Sequence, residues 1–277
     1  MRKLLSANYS RLFRNGLFWF CTAALLVISV LTMFNGCRQA ALLELDESAA
    51  ALEDYYFNLA PVIGLFLSVF LALFLGTEYS DGTMRNKLTV GHRRRDVYLA
   101  NLLVCFTAGL FFLAAWLLGG LTGIPVFGLW QIGVQSAVLF MLVAVFFTAA
   151  FAGIFTLLSM LSTNRAVTAV LSILLFLGLL FAASYFYSAL CEPEMYSDMI
   201  VTAEGIQVGE PAPNPYYISG FTRTLYEWIL DFLPSGQSIR LANMVLVHPL
   251  RAIVSSVVIL IGTTAAGLAA FRKKDLK

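Results

Sequence analysis

The chain has 277 residues, of which 60% are hydrophobic and only 12% charged, with a formal net charge of +2 at pH 7. Soluble domains average roughly half apolar and a quarter charged residues, so this balance excludes an ordinary soluble domain and predicts an all-α integral membrane protein. The small net charge is no guide to partners, and four cysteines without a C-x-x-C pair give no support to a zinc or redox site.

In chain order, residues 1–15 come first. On a helical wheel over residues 2–15, Leu4, Leu5, Tyr9, Leu12 and Phe13 share one half. Lys3, Ser6, Ser10, Arg11 and Arg14 share the other, with Asn8 the exception. This pattern fits an interfacial helix on the inner leaflet, and equally an ordinary basic flank of the span that follows. Basic residues before an apolar run also describe a signal peptide, and Phe34-Asn-Gly-Cys37 has the ending of a lipoprotein cleavage site. Arg38 follows it directly, and cleavage would spoil the charge pattern of the remaining spans, so the first span is read as retained.

Six stretches reach the roughly 20 residues that cross a hydrocarbon core. They run from Gly16 to Gly36, Phe57 to Thr77, Leu102 to Gly123, Gln131 to Leu161, Ala166 to Leu190 and Ala252 to Phe271, and none contains Asp, Glu, Lys, Arg or His. The fourth is overlong for a perpendicular span. With both termini inside, fourteen of the 18 Lys and Arg fall on the inner side, leaving Arg38, Arg223, Arg240 and Arg251 outside. Twelve of the 16 acidic residues fall outside. This partition predicts a multi-pass protein of the plasma membrane with N- and C-termini cytoplasmic. It also reads Arg93-Arg94-Arg95 as a topogenic run rather than a nucleic-acid patch.

Between the second and third spans lies the polar segment 78–100. Thr83 is placed to cap a helix, Met84 and Leu88 stand one turn apart on a common face, and Gly91 suits its end. A two-turn helix with an apolar knob, surrounded by Arg85, Asn86 and Lys87, is suited to docking into a cleft of another protein. Alone it has little reason to be helical.

The outer loop 191–250 begins with Pro193, Pro211, Pro213 and Pro215, a composition of turns and irregular structure. Further on, Phe221, Leu225, Trp228, Ile229 and Phe232 recur at helical spacing until Pro234-Ser-Gly236, which reads as a stop. A second short segment runs from Ile239 to Val247. These predict one or two helices dipping toward the outer interface. Cys37 and Cys191 fall at outer ends of spans, where free thiols and a disulfide are both open.

The chemistry is bounded by absences. The spans carry no ionisable residue of the kind that relays protons or couples ions. There is no G-x-x-x-x-G-K-[ST], no H-E-x-x-H and no G-x-S-x-G, so no cofactor, metal site or catalytic constellation is predicted. Glu78 and Asp81 stand without a base or metal ligand beside them, which disfavours a membrane enzyme.

Glu78-Tyr-Ser-Asp-Gly-Thr-Met-Arg-Asn-Lys-Leu-Thr-Val-Gly-His92, followed by Tyr98-Leu-Ala-Asn-Leu102, resembles the conserved segment of small six-span permeases of bacterial ABC-2 type exporters. The wider likeness is architectural, and includes Leu233-Pro-Ser-Gly-Gln237 in the large outer loop. The resemblance implies an ABC-2 type exporter fold: six transmembrane helices with an N-terminal interfacial helix, in a single transmembrane domain over 1–277. It implies that the first inner loop is a coupling helix seated on a separate ATP-binding subunit, with the turn Leu161 to Arg165 a lesser contact. ATPase coupling is thereby assigned to Glu78, Asp81, Arg85, Asn86, Lys87 and Arg165, beside Thr83, Met84 and Leu88 from the reading above. The implied partners are an ABC ATP-binding subunit, a second permease subunit in a homodimer or heterodimer, and membrane lipid, with no nucleic acid. Small-residue pairs that permit close helix approach stand at Gly119/Gly123, Ala149/Gly153 and Gly262/Ala266. A non-transporting sensor or immunity scaffold that docks a partner on the same loop is the alternative.

Overall fold

The structure is a computed structural model that describes residues 1–42, 51–197, 199–202 and 205–274. Helix α1 (Arg2–Phe13) buries Leu4, Asn8 and Leu12 along one stripe, and Asn15 Oδ1 then accepts from the Phe18 amide at 3.1 Å to start α2 (Gly16–Leu42). Short α3 (Leu52–Tyr56) leads into α4 (Ala60–Ser80), with Pro61 in its first turn, where the missing amide donor costs nothing. Next come α5 (Thr83–Thr89) and α6 (Arg94–Gly120), the latter prolonged by a 3₁₀ turn (Leu121–Gly123) and α7 (Ile124–Phe127). Helices α8 (Val134–Leu161) and α9 (Arg165–Cys191) follow, then the ladders β1 (Met195–Tyr196), β2 (Met199–Thr202), β3 (Gly205–Val208) and β4 (Ala212–Pro213). The chain closes with α10 (Gly220–Phe232), α11 (Pro234–Ala242) and α12 (Pro249–Lys273).

Six helical segments are long and apolar enough to cross a membrane: Gly16–Leu42, Leu52–Ser80, Arg94–Phe127, Val134–Leu161, Arg165–Cys191 and Pro249–Lys273. The chain therefore has the build of a multi-pass helical membrane protein. An even number of spans returns both termini to one end of the bundle, where Lys274 Nζ donates to the carbonyls of Met160 and Ser162.

Helix α4 is the hub, packed against α6, α8, α9 and the inserted α11, while α8 lies along α12 and α2 lies along α6. The α2–α6 seam is polar at one point, where Ser29 Oγ donates to the Trp116 carbonyl at 2.7 Å. The small-residue pairs divide. A Cβ on Gly119 would meet Ser29 at 2.6 Å and one on Gly153 would meet Thr263 at 2.7 Å, so both serve packing within this chain, whereas Gly262 and Ala266 stay exposed.

Several boundaries differ from expectation. The fourth span starts at Val134 rather than Gln131, because the buried Glu53 carboxylate accepts from the amides of Gln131 (3.3 Å) and Ile132 (2.8 Å) and holds them in a loop. The second span runs past Thr77 to Ser80 and takes Glu78 into the protein interior. The proline-rich half of the outer loop carries structure: β1 pairs antiparallel with β4 (Met195 opposite Pro213), and β2 with β3 (Met199 opposite Val208). Pro234 does end α10, but it also starts α11, five residues before the segment expected at Ile239.

Helix α11 does not lie at the interface. Every residue from Pro234 to Leu241 is buried, among α4, α8, α9 and α10. Its polar groups are satisfied internally, as buried groups must be. Arg240 and Arg251 both pair with Asp231, and Gln237 Nε2 donates to the carbonyls of Asp231 (2.8 Å) and Ala252 (3.0 Å) while its Oε1 accepts from Ser256. The four cysteines are free thiols, so Cys37 and Cys191 are not joined.

Candidate functional site

The last turn of α4, the first half of α6, α1 and α5 converge on Glu78 at the end of the bundle that carries the termini. Glu78 is 1% exposed, and its Oε1 lies 2.5 Å from both Arg11 Nη1 of α1 and Lys87 Nζ of α5. Its Oε2 accepts from Asn101 Nδ2 of α6 at 3.1 Å. Asn101 Oδ1 accepts in turn from Asn8 Nδ2 at 2.6 Å, and Asn8 Oδ1 accepts from Lys87 Nζ at 2.8 Å. Glu78, Lys87, Asn8 and Asn101 thus form a closed ring, and Arg11 is attached to it at Glu78.

Electrostatically, two cations share one carboxylate. Desolvation by burial draws both Arg11 and Lys87 below their ordinary values, and the Glu78 charge opposes that shift in each. Arg11 also stacks 4.0 Å over the Phe74 ring, which suits a weakly hydrated guanidinium.

Local geometry sets α5 on this platform. Gly82 adopts φ +65°, a left-handed conformation that turns the chain back, and Thr83 Oγ1 donates to the Glu78 carbonyl at 3.1 Å. The expected Thr83 cap is thus a tie to α4, and the N-cap position is Gly82. At the far end Gly91, at φ +96°, donates to the Leu88 carbonyl while the His92 amide donates to that of Lys87, a Schellman pair.

The nine residues assigned to coupling separate by exposure. Met84 is 1% exposed within the main core and Leu88 packs against that core half-buried, so the apolar face of α5 seats the helix on its own chain and presents no knob to a partner. Burial of such a side chain stabilises the seat by roughly 1.5–3 kcal/mol. Glu78 and Lys87 belong to the internal ring, and Thr83 is half-buried. Asp81, Arg85 and Asn86 remain exposed, joined by Thr89 and by Val90, which is 78% exposed. Arg165, also exposed, opens α9 under the Asn164 cap and lies against Gly76, where a Cβ would meet its Cγ at 2.9 Å. Between α1 and α5 runs a cleft of about 330 Å³ lined by Lys3, Ala7, Asn86, Val90 and His92, among others.

Sequence reasoning missed Asn8 and Asn101 as members of the ring and Arg11 as the second cation on Glu78. A signal existed for two of them: Asn8 broke the polar–apolar division of α1, and Asn101 lies within Tyr98-Leu-Ala-Asn-Leu102. Among the described residues no three His, Cys, Asp or Glu side chains converge on a metal-sized space. Compared with known proteins, the chain matches no family model and no curated sequence.

Proposed function

We propose that this chain is the membrane-spanning permease subunit of an ABC-2 type exporter, working as a dimer in the plasma membrane with both termini cytoplasmic and receiving force from a separate ATP-binding subunit at α5. The observation that carries the reading is the mounting of α5. A short helix with an exposed face of Arg85, Asn86, Thr89 and Val90 is tied through Lys87 and Glu78 to α1, α4 and α6 at once. A displacement of α5 would therefore move the ends of two spans and the N-terminal helix as a rigid unit, as a coupling element requires. The docking face differs from the one drawn on sequence: Arg85, Asn86 and Val90 face the partner, while Met84 and Leu88 hold the helix to its platform.

The direct experiment is co-expression with a candidate ATP-binding-cassette protein, sought among the products of the genes flanking this one. Val90→Asp with Arg85→Glu should leave insertion intact and abolish capture of the ATPase and ATPase activity that depends on this chain. Capture at wild-type stoichiometry, with such activity intact, would remove α5 as the coupling element. A non-transporting scaffold would bind a partner at the same face without any ATP hydrolysis dependent on this chain, so that assay separates the two readings.

A further inference from the structure

Helices α6 and α12 meet closely at one crossing, where a Cβ on Gly267 would lie 2.1 Å from Tyr98 Oη. One turn further toward the termini, Arg94 Nη1 donates to the carbonyl of Phe271 at 2.9 Å and to that of Lys274. The guanidinium also lies 6.0 Å from the Phe271 ring. Arg94 is thereby fixed against the carbonyl end of α12, where a cation is favoured by the helix dipole. Beside this joint the two helices part and leave a cavity of about 430 Å³, lined by Arg94, Arg95, Arg272, Leu268 and Ala269.

Three arginines therefore line one space. Among the described residues none of them pairs with a carboxylate: the ion pairs there gather on Glu78, Asp231 and Glu227. The remaining wall is apolar and continues along the exposed side of α12 through Ile261, Val258 and Val254. A guanidinium fork matches phosphate oxygens in pairs. An apolar wall beside it, running into the membrane, matches a ligand whose phosphate carries an acyl chain. Basic pockets between spans at the membrane edge are suited to such headgroups.

We propose that the Arg94–Arg95–Arg272 groove binds the phosphate of an anionic glycerophospholipid, its acyl chain lying along Leu268 and Ala269. The site is separate from the Glu78 ring and does not depend on the exporter reading.

The test uses the full chain, delipidated in detergent and titrated with dioleoyl phosphatidylglycerol or dioleoyl phosphatidylcholine, with bound lipid counted by native mass spectrometry. Wild-type protein should prefer the anionic lipid by about tenfold or more. Arg95→Gln with Arg272→Gln should remove that preference, while Arg2→Gln with Arg14→Gln, which deletes the same charge from exposed positions at the start and the C-cap of α1, should keep it. Should the first pair lose its fold, each single substitution is titrated instead. Equal loss in both pairs would mean diffuse surface charge and overturn the site. So would equal affinity for the two lipids, or displacement of the lipid by inorganic phosphate at the lipid's own concentration, which would mark a soluble-anion site.

Discussion

The side-chain amide of Asn8 donates to Asn101 Oδ1 at 2.6 Å, joining the N-terminal helix to α6 across 93 positions of sequence and placing both residues in the shell of Glu78. Asn8 is 2% exposed and Asn101 fully buried, so neither amide has water as an alternative partner. Replacing Asn8 by Leu should leave Asn101 and Lys87 each short of a partner and cost about 1–3 kcal/mol. A lowered Tm in detergent is the readout. Glu78→Gln should cost about 2–3 kcal/mol, less than the 3–5 of a fully enclosed pair because solvent reaches part of Arg11. Unchanged Tm in both variants would show that the ring does not hold α1 to the bundle.

Met84 of α5 is buried and Val90 at its C-cap is exposed, so the two should respond differently. Met84→Asp places a charge in a site 1% exposed and should destabilise the isolated chain by several kcal/mol, with no partner present. Val90→Asp, at a site 78% exposed, should change stability by less than about 0.5 kcal/mol. Thermal unfolding of the two purified variants decides the matter, and equal stability would reverse the assignment of inner and outer faces.

Gly236 opens α11 where a Cβ would lie 2.3 Å from the carbonyl oxygen of Leu230, a backbone atom that cannot rotate aside. Gly236→Ala should therefore unseat the start of α11 and cost about 1–3 kcal/mol by overpacking. Limited proteolysis of the 211–250 segment is expected to accelerate. Wild-type cleavage rates would mean that α11 is not inserted as described.

Lys274 is half-buried, with Nζ 4.1 Å over the Tyr79 ring and donating to two carbonyls, and desolvation lowers its pKa from 10.5 to about 8. The folded chain thus releases this proton earlier than the unfolded chain. Between about pH 8 and 10.5 the unfolded state binds more protons, so stability from this group rises with pH across that window and is flat below it. Relative to Lys274→Gln, the wild-type Tm should gain as pH rises from 8 to 10. A constant difference would place the side chain in water.

Topology is open to reporter fusions. Fusions after Lys277 and within His92 to Arg95 should read cytoplasmic, and one within Pro211 to Pro215 external. A cytoplasmic signal from the last would undo the proposed orientation.

Local pattern was enough for the elements whose cause is local. The six apolar runs announce spans because each reaches the length a hydrocarbon core demands, and α5 was legible from Thr83, Met84, Leu88 and Gly91, whose spacing encodes two turns and a stop. The stripe Phe221 to Phe232 marked α10 for the same reason. Which way these elements face was decided elsewhere. Met84 and Leu88 form an apolar pair equally suited to a partner's cleft or to the chain's own core, and only the packing of the folded chain, α4 foremost, turns that face inward. Glu78 was assigned to the coupling loop without its companions, because Arg11, Lys87 and Asn101 come from three other elements. The segment from Ile239 was expected to dip toward the outer interface with its neighbour, but α11 is buried, and its burial is tolerable because Asp231, Gln237, Arg240 and Arg251 satisfy one another. Hydrophobic length is a property of a segment, whereas the pairing that makes a buried charge tolerable belongs to residues far apart in sequence, and only the tertiary structure brings them together.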